Sequence, residues 1–161
     1  MWRTGAVVAA LGMAVGCGGG EEVLDGYLFD VTGLAVIDDC NDPTVPYQET
    51  FEYRLSFDEA NVVLSIGADD FATGRIAGCA ITYDTAVWNA ERASGDVKWQ
   101  LSGEAVYRQG GDTCNLPAGM DWEGTETFSV VASEDPSIPV GCQYVLDTTG
   151  VYLGPAGAGS E

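Results

Sequence analysis

The segment 97–108, VKWQLSGEAVYR, constrains the fold most, because it alternates apolar and polar side chains along its whole length. A period of two is what a β-strand with one buried face and one hydrated face requires. The segments 49–58 and 81–87 repeat this alternation, and no segment after Cys17 has convincing helical periodicity. The chain from Gly26 onward is therefore predicted to be all-β.

Runs of turn-forming residues separate the alternating segments and set the number of strands. They occupy 58–61 (DEAN), 93–96 (ASGD) and 135–139 (DPSIP), and a longer loop covers 110–121. About eight strands follow, at 26–38, 48–58, 61–67, 71–76, 79–88, 97–109, 123–133 and 141–153. A hairpin turn at Ala77-Gly78 separates the fourth strand from the fifth. Short, evenly spaced strands predict a small antiparallel β-barrel or sandwich with meander topology.

The first 17 residues predict export. Arg3 is the only charge among residues 1–16, and 6–15 is an uninterrupted run of small and apolar residues, which is typical of a signal peptide. The run is too short to span a bilayer, which takes about 20 apolar residues. The junction Ala14-Val15-Gly16-Cys17 resembles the lipobox of bacterial lipoproteins. That resemblance implies cleavage before Cys17 and lipidation of its thiol.

The same resemblance implies a location and a domain plan. Gly18, rather than aspartate, follows the lipidated cysteine, and in enteric bacteria this favours the outer membrane. The expected product is an outer-membrane lipoprotein at the periplasmic face or the cell surface. We predict a signal peptide at 1–16, the lipidated Cys17 with a flexible tether to residue 25, one β domain at 26–154, and a disordered tail at 155–161.

Four further cysteines test the strand count. Without Cys17, the chain has Cys40, Cys79, Cys114 and Cys142, and an even number in an exported chain indicates two disulfides with three possible connectivities. A zinc site is disfavoured because no two of these cysteines are close in sequence and the chain has no histidine. An eight-stranded meander brings Cys40 to Cys142 at one rim and Cys79 to Cys114 at the other. Seven strands would separate Cys142 from the rest by about 30 Å, beyond the reach of a disulfide.

Charge and composition narrow the classes of function. The chain has 25 acidic and 6 basic side chains, a net charge of −19, and no histidine. Removing residues 1–16 removes only Arg3 among the charges, which leaves about −20. This charge disfavours nucleic acid and anionic headgroups. The lack of histidine removes the commonest general base, and no Gly-x-Ser-x-Gly motif or free cysteine replaces it. We predict no enzyme and no cofactor.

Aromatic and acidic residues supply the candidate sites. The candidate ligand-binding residues are Tyr53, Tyr83, Trp88, Trp99 and Tyr107. The alternative is an ordinary core, because most of them lie on the apolar face of their strands. The acidic run 38–42 (DDCND) offers the hard oxygens that calcium needs, but it lacks the EF-hand spacing and a closing bidentate Glu. A solvated loop is therefore expected there, and no metal site.

A lipid anchor, a short tether and an eight-stranded barrel are together similar in plan to lipocalin-like lipoproteins, a resemblance that implies an apolar cup. Two functions remain open. The first is a non-enzymatic interaction or structural module that presents its loops to an envelope protein. The second is a binding module for a small apolar ligand. The bulky inward positions favour the first. The two differ in whether Tyr53, Tyr83 and Trp99 surround a cavity or a packed core.

Overall fold

A computed structural model describes residues 26–43, 45–67, 69–108, 114 and 119–156. Within these residues the chain forms nine β-strands: β1 Tyr27–Asp38, β2 Gln48–Asp58, β3 Asn61–Ile66, β4 Asp69–Ala77, β5 Ala80–Thr85, β6 Trp88–Ala90, β7 Val97–Tyr107, β8 Trp122–Ser133 and β9 Gln143–Pro155. No helix in this part of the chain has the length and apolarity to span a membrane. The predicted signal peptide, lipidated Cys17 and tether lie outside the described residues.

Eight of these strands form one closed antiparallel barrel. Its order is β1-β2-β3-β4-β5-β7-β8-β9, and β9 pairs back with β1. The pairing of β5 with β7, from Ala80↔Val106 to Asp84↔Ser102, closes the wall. The predicted all-β meander is confirmed, and of the two architectures it is the barrel.

The ninth strand corrects the prediction of one continuous strand over 79–88. The chain leaves the sheet at Ala86 and Val87 and returns as β6. β6 pairs with the first residues of β7, where Trp88 opposes Trp99. β6 therefore continues, further along β7, the pairing that β5 begins.

Two-residue turns connect β2 to β3 and β4 to β5 at the same end of the barrel. Asp58 pairs with Asn61 around a turn that begins at Glu59, whose φ is 53°. Ala77 pairs with Ala80, so the hairpin predicted at Ala77-Gly78 has Gly78 and Cys79 as its turn residues. Gly78 has a φ of 60°, the left-handed conformation that tight hairpin turns require.

The two disulfides lie at opposite rims of the barrel. Cys40 is bonded to Cys142 across the end of β1 and the start of β9, with Cα atoms 5.0 Å apart. We call this end the upper rim and the other end the lower rim. At the lower rim Cys79 is bonded to Cys114, with Cα atoms 5.2 Å apart. These are the pairs that the eight-stranded meander predicts.

Bulky side chains fill the middle and the lower part of the barrel. The largest fully buried ones are Trp122, Tyr53, Phe29, Leu55, Leu64, Ile81, Leu101 and Leu146. Space for two rings comes from glycines on the paired strand, where Tyr83 lies against Gly103 and Trp122 against Gly150. The barrel centre is therefore packed core, and open space lies at the upper rim.

β9 continues one residue beyond the predicted domain end at 154, because Pro155 pairs with Tyr27. The strand thus includes the first residue that the sequence assigned to the tail, and residues 157–161 lie outside the described part of the chain.

Candidate functional site

A cavity of about 160 Å³ opens at the upper rim of the barrel. It is lined by Val45, Glu49, Trp88, Ala90, Arg92, Trp99, Phe128 and Tyr144. A protein cavity of about 150 Å³ holds a benzene molecule. The space at the upper rim therefore suits a ligand with a body of about one ring, and it is too small for a lipid chain.

Aromatic rings form a continuous row along this cavity. The ring centroids of Phe71 and Trp88 are 6.1 Å apart, and Trp88 meets Phe128 edge to face at 6.3 Å. Phe128 continues the row to Tyr144 at 5.7 Å. These separations are those at which aromatic pairs attract one another beyond simple burial. The rings therefore hold one another in place around the cavity.

Glu49 brings a carboxylate to this aromatic wall. It belongs to the inward positions of β2, in phase with Phe51, Tyr53 and Leu55. Its side chain is half-buried, and the burial raises the pKa of its carboxyl. Within the described residues, the Glu49 carboxylate accepts no hydrogen bond and forms no ion pair.

Arg92, a cationic side chain in the cavity lining, already has a partner. The Arg92 guanidinium donates a hydrogen bond to the carboxylate of Asp42 and forms an ion pair with it. The Asp42 side chain is fully buried, so this pair joins the segment after β6 to the segment after β1. The solvated loop expected at 38–42 is therefore wrong at Asp42, because Arg92 compensates the burial of its charge.

A buried acid lies below the cavity, two residues before Phe128 on the same face of β8. Glu126 is 0 % exposed, and its carboxylate accepts hydrogen bonds from Tyr83 Oη at 2.7 Å and from Tyr53 Oη at 3.0 Å. Burial and the nearby Glu49 raise the pKa of Glu126, while the two hydrogen bonds oppose that rise. Burial and the charge of Glu126 in turn raise the pKa of both phenols.

Of the residues that the sequence nominated, Trp88 and Trp99 line the cavity. Tyr53 and Tyr83 lie beneath it and hold Glu126. Tyr107 lies in the lower core, where its hydroxyl is buried without a hydrogen-bond partner among the described residues.

Sequence reasoning missed Glu49, Glu126, Phe128 and Tyr144. A signal was present for the two acids. Each lies in phase with the inward apolar positions of its strand, Glu49 with Phe51 and Glu126 with Trp122. A charge in phase with a buried face indicates a polar group inside the barrel.

Other depressions lie on the outside of the barrel. One of about 330 Å³ covers Gly103, and one of about 560 Å³ covers Gly124. Their linings are mostly Thr, Ser, Asp and Glu side chains, without the aromatic wall of the upper-rim cavity. Among the described residues, no three Cys, Asp or Glu side chains are arranged to hold a metal ion.

Fold and site together define a closed, eight-stranded, up-and-down β-barrel with a packed centre and a small aromatic cavity at one rim. No family model, curated protein or solved structure matches this chain. A barrel of this kind serves many unrelated functions, so its function has to be argued from the site.

Proposed function

We propose that this chain is a non-enzymatic binding module of the cell envelope that holds one small, largely apolar ligand at its upper rim. The observation that carries this proposal is the cavity of about 160 Å³ beside Trp88, Trp99 and Phe128. Small ligands bind in concave sites that are mostly apolar and contain a few polar groups. The packed barrel centre limits the ligand to about the size of one ring.

The envelope location rests on the disulfides and on the lipobox. Disulfides persist in oxidising compartments, and this barrel has one at each rim. The proposed anchor is a lipidated Cys17, which holds the module at the outer membrane. Cys17→Ser removes the thiol that accepts the lipid, so the variant should leave the membrane fraction. Unchanged membrane retention and detergent partitioning of Cys17→Ser would contradict the anchor.

An interaction module is the second candidate, and exposed apolar side chains support it. Tyr47 is 75 % exposed and Val140 62 %. Val36 and Ile37, near the end of β1, are 52 % and 45 % exposed. All four lie in segments close to the Cys40–Cys142 disulfide, where an envelope protein would find an apolar surface.

Native mass spectrometry of the mature protein purified from its own envelope tests both candidates. A retained small molecule that is lost from Trp88→Ala would support the ligand-binding module. A retained polypeptide that is lost from Tyr47→Ser, but not from Trp88→Ala, would favour the interaction module. Val151→Ser is the matched control, because Val151 is 47 % exposed on β9, away from the upper rim.

A further inference from the structure

We propose that the ligand of the upper-rim cavity is a small organic cation, an ammonium group on an apolar body of about one ring, with the ammonium bound by Glu49. This inference rests on the proposed function and specifies the chemical class of its ligand.

The charges in the cavity favour a cation. Of the described residues that line it, Glu49 and Arg92 are charged. Arg92 is already paired with Asp42, whereas the Glu49 carboxylate has no hydrogen-bond donor or cation among the described residues. A half-buried carboxylate without a partner is costly, and a ligand ammonium supplies both a charge and hydrogen-bond donors.

The aromatic wall also favours a cation. The faces of aromatic rings are electron-rich and attract cations, most strongly in tryptophan. Trp88, Trp99, Phe128 and Tyr144 surround the space beside Glu49. The same wall accepts an apolar ligand body. An anionic ligand would meet the Glu49 carboxylate and these ring faces together, so the cavity disfavours it.

The acid below the cavity acts in the same direction. Burial and, to a smaller extent, the charge of Glu49 raise the pKa of Glu126. A cation bound at Glu49 offsets the negative charge that Glu126 meets there. The net charge of −19 acts in the same direction at longer range, since it raises the local concentration of cations around the protein.

Three probes that share one ring test the inference: benzylamine, benzyl alcohol and benzoate. Their binding to the purified mature protein is measured by calorimetry and by tryptophan fluorescence, which Trp88 and Trp99 report from inside the cavity. We expect benzylamine to bind about ten- to a hundredfold more tightly than benzyl alcohol, the range that hydrogen bonds to a charged group supply. Benzoate should bind most weakly.

Glu49→Gln keeps the shape of the side chain and removes its charge. In this variant the affinity for benzylamine should fall to that of benzyl alcohol, while the affinity for benzyl alcohol stays the same. Glu52→Gln is the matched control, because Glu52 lies on the same strand and points outward. It should keep the full preference for the amine. The comparison of the three probes on the unmodified protein needs no variant, so it stands even if Glu49→Gln fails to fold.

Two results overturn the inference while leaving the proposed function intact. One is equal or tighter binding of benzyl alcohol than of benzylamine, and the other is tightest binding of benzoate. If none of the three probes binds, the proposed function fails together with the inference. If Glu49→Gln keeps the preference for the amine, the assignment of Glu49 as the recognising group is wrong.

Discussion

Tyr83 Oη donates a 2.7 Å hydrogen bond to Glu126, which connects β5 to β8 through the interior of the barrel. Tyr53 on β2 donates a second bond to the same carboxylate at 3.0 Å. The acceptor is 0 % exposed, so bulk water does not compete with either donor. Three strands that are not neighbours in the wall are thus joined at one buried acid, which lies below the upper-rim cavity.

Removing either donor should destabilise the barrel. Tyr53→Phe and Tyr83→Phe each leave Glu126 with one hydrogen-bond donor fewer at a site closed to bulk water. We expect each to lower the free energy of unfolding by about 1 to 3 kcal/mol, measured by urea denaturation. Because both donors share one acceptor, the effect of the double variant should differ from the sum of the two.

Tyr107→Phe is the control for this pair. The Tyr107 hydroxyl is buried with no partner among the described residues, so its removal relieves an unsatisfied group. Tyr107→Phe should leave the stability unchanged or raise it. A loss as large as that of Tyr83→Phe would show that the cost arises from repacking of the ring and not from the bond to Glu126.

The pKa of Glu126 predicts a pH dependence of stability. Burial raises this pKa above its ordinary value of 4.5, so the folded protein holds the proton more tightly than the unfolded chain. The resulting stabilisation is complete below pH 4.5 and is lost as the pH rises through the pKa of the folded state.

Glu126→Gln removes this titration. Between pH 4 and pH 8, the free energy of unfolding of the unmodified protein should therefore fall relative to that of Glu126→Gln. Glu104→Gln, a change at an exposed position of β7, is the control for the loss of one carboxylate. If the free energies of unfolding of Glu126→Gln and the unmodified protein differ by the same amount at every pH, the raised pKa of Glu126 is contradicted.

The two-residue period was enough to predict most strands of the barrel, because a strand with one buried and one hydrated face has a clear alternation of apolar and polar residues. It could not distinguish a barrel from a sandwich, since closure depends on the pairing of β5 with β7 and on the twist of the whole sheet. It also missed the break at Ala86 and Val87, where Val87 still fits the alternation while the backbone leaves the sheet.

The candidate site was harder to predict than the fold. Alternation assigns Glu49 to the inward face, but it does not tell how deep in the barrel the residue lies. The pairing of Arg92 with Asp42 joins loops 50 residues apart, and neither loop has a repeating pattern that predicts the other. The distinction between the packed Tyr53 and the cavity-lining Trp99 required the register of all eight strands.

Gly103→Ala, a change on β7, should disturb the buried Glu126 on the neighbouring strand β8. A Cβ at position 103 would overlap the ring of Tyr83, which packs directly on this glycine. Overpacking of this kind costs about 1 to 3 kcal/mol, and here it also displaces the donor to Glu126. In a Tyr83→Ala background the same change should cost much less. Equal costs in the two backgrounds, measured by thermal or urea unfolding, would show that the ring is not what Gly103 accommodates.

The two disulfides should differ in their contribution to stability. Cys40 and Cys142 are 102 residues apart, and a loop of this length corresponds to about 4.7 kcal/mol in the chain-entropy model. Cys79 and Cys114 are 35 residues apart, which gives about 3.8 kcal/mol. Replacing both cysteines of a pair with serine should therefore cost at least as much for Cys40 and Cys142. Non-reducing peptide mapping checks the pairing, and a peptide joining Cys40 to Cys79 would contradict the meander.

The binding of an amine should depend on pH. Burial raises the pKa of Glu49, and only its ionised form attracts an ammonium group. The affinity for benzylamine should therefore fall as the pH is lowered through this pKa, by up to about tenfold for each pH unit below it. Among the described residues, the other titratable or charged groups near Glu49 are Tyr53, Tyr144, Arg92 and Glu126. The pKa of Tyr144 is raised to about 12, and the pKa values of Tyr53 and Arg92 are raised as well, so none of the three titrates in acid.

Glu126 is the other carboxyl near Glu49, and burial raises its pKa as well, so Glu126→Gln is the variant that separates the two carboxyls. It should keep the acid-dependent loss of affinity, because Glu49 is still present. Glu49→Gln should bind benzylamine weakly and with little dependence on pH between 4 and 8. Its affinity for benzyl alcohol should also stay constant over this range. If the loss of affinity in acid persists in Glu49→Gln and disappears in Glu126→Gln, the proton that competes with the ligand resides on Glu126, and the ammonium contact assigned to Glu49 is wrong.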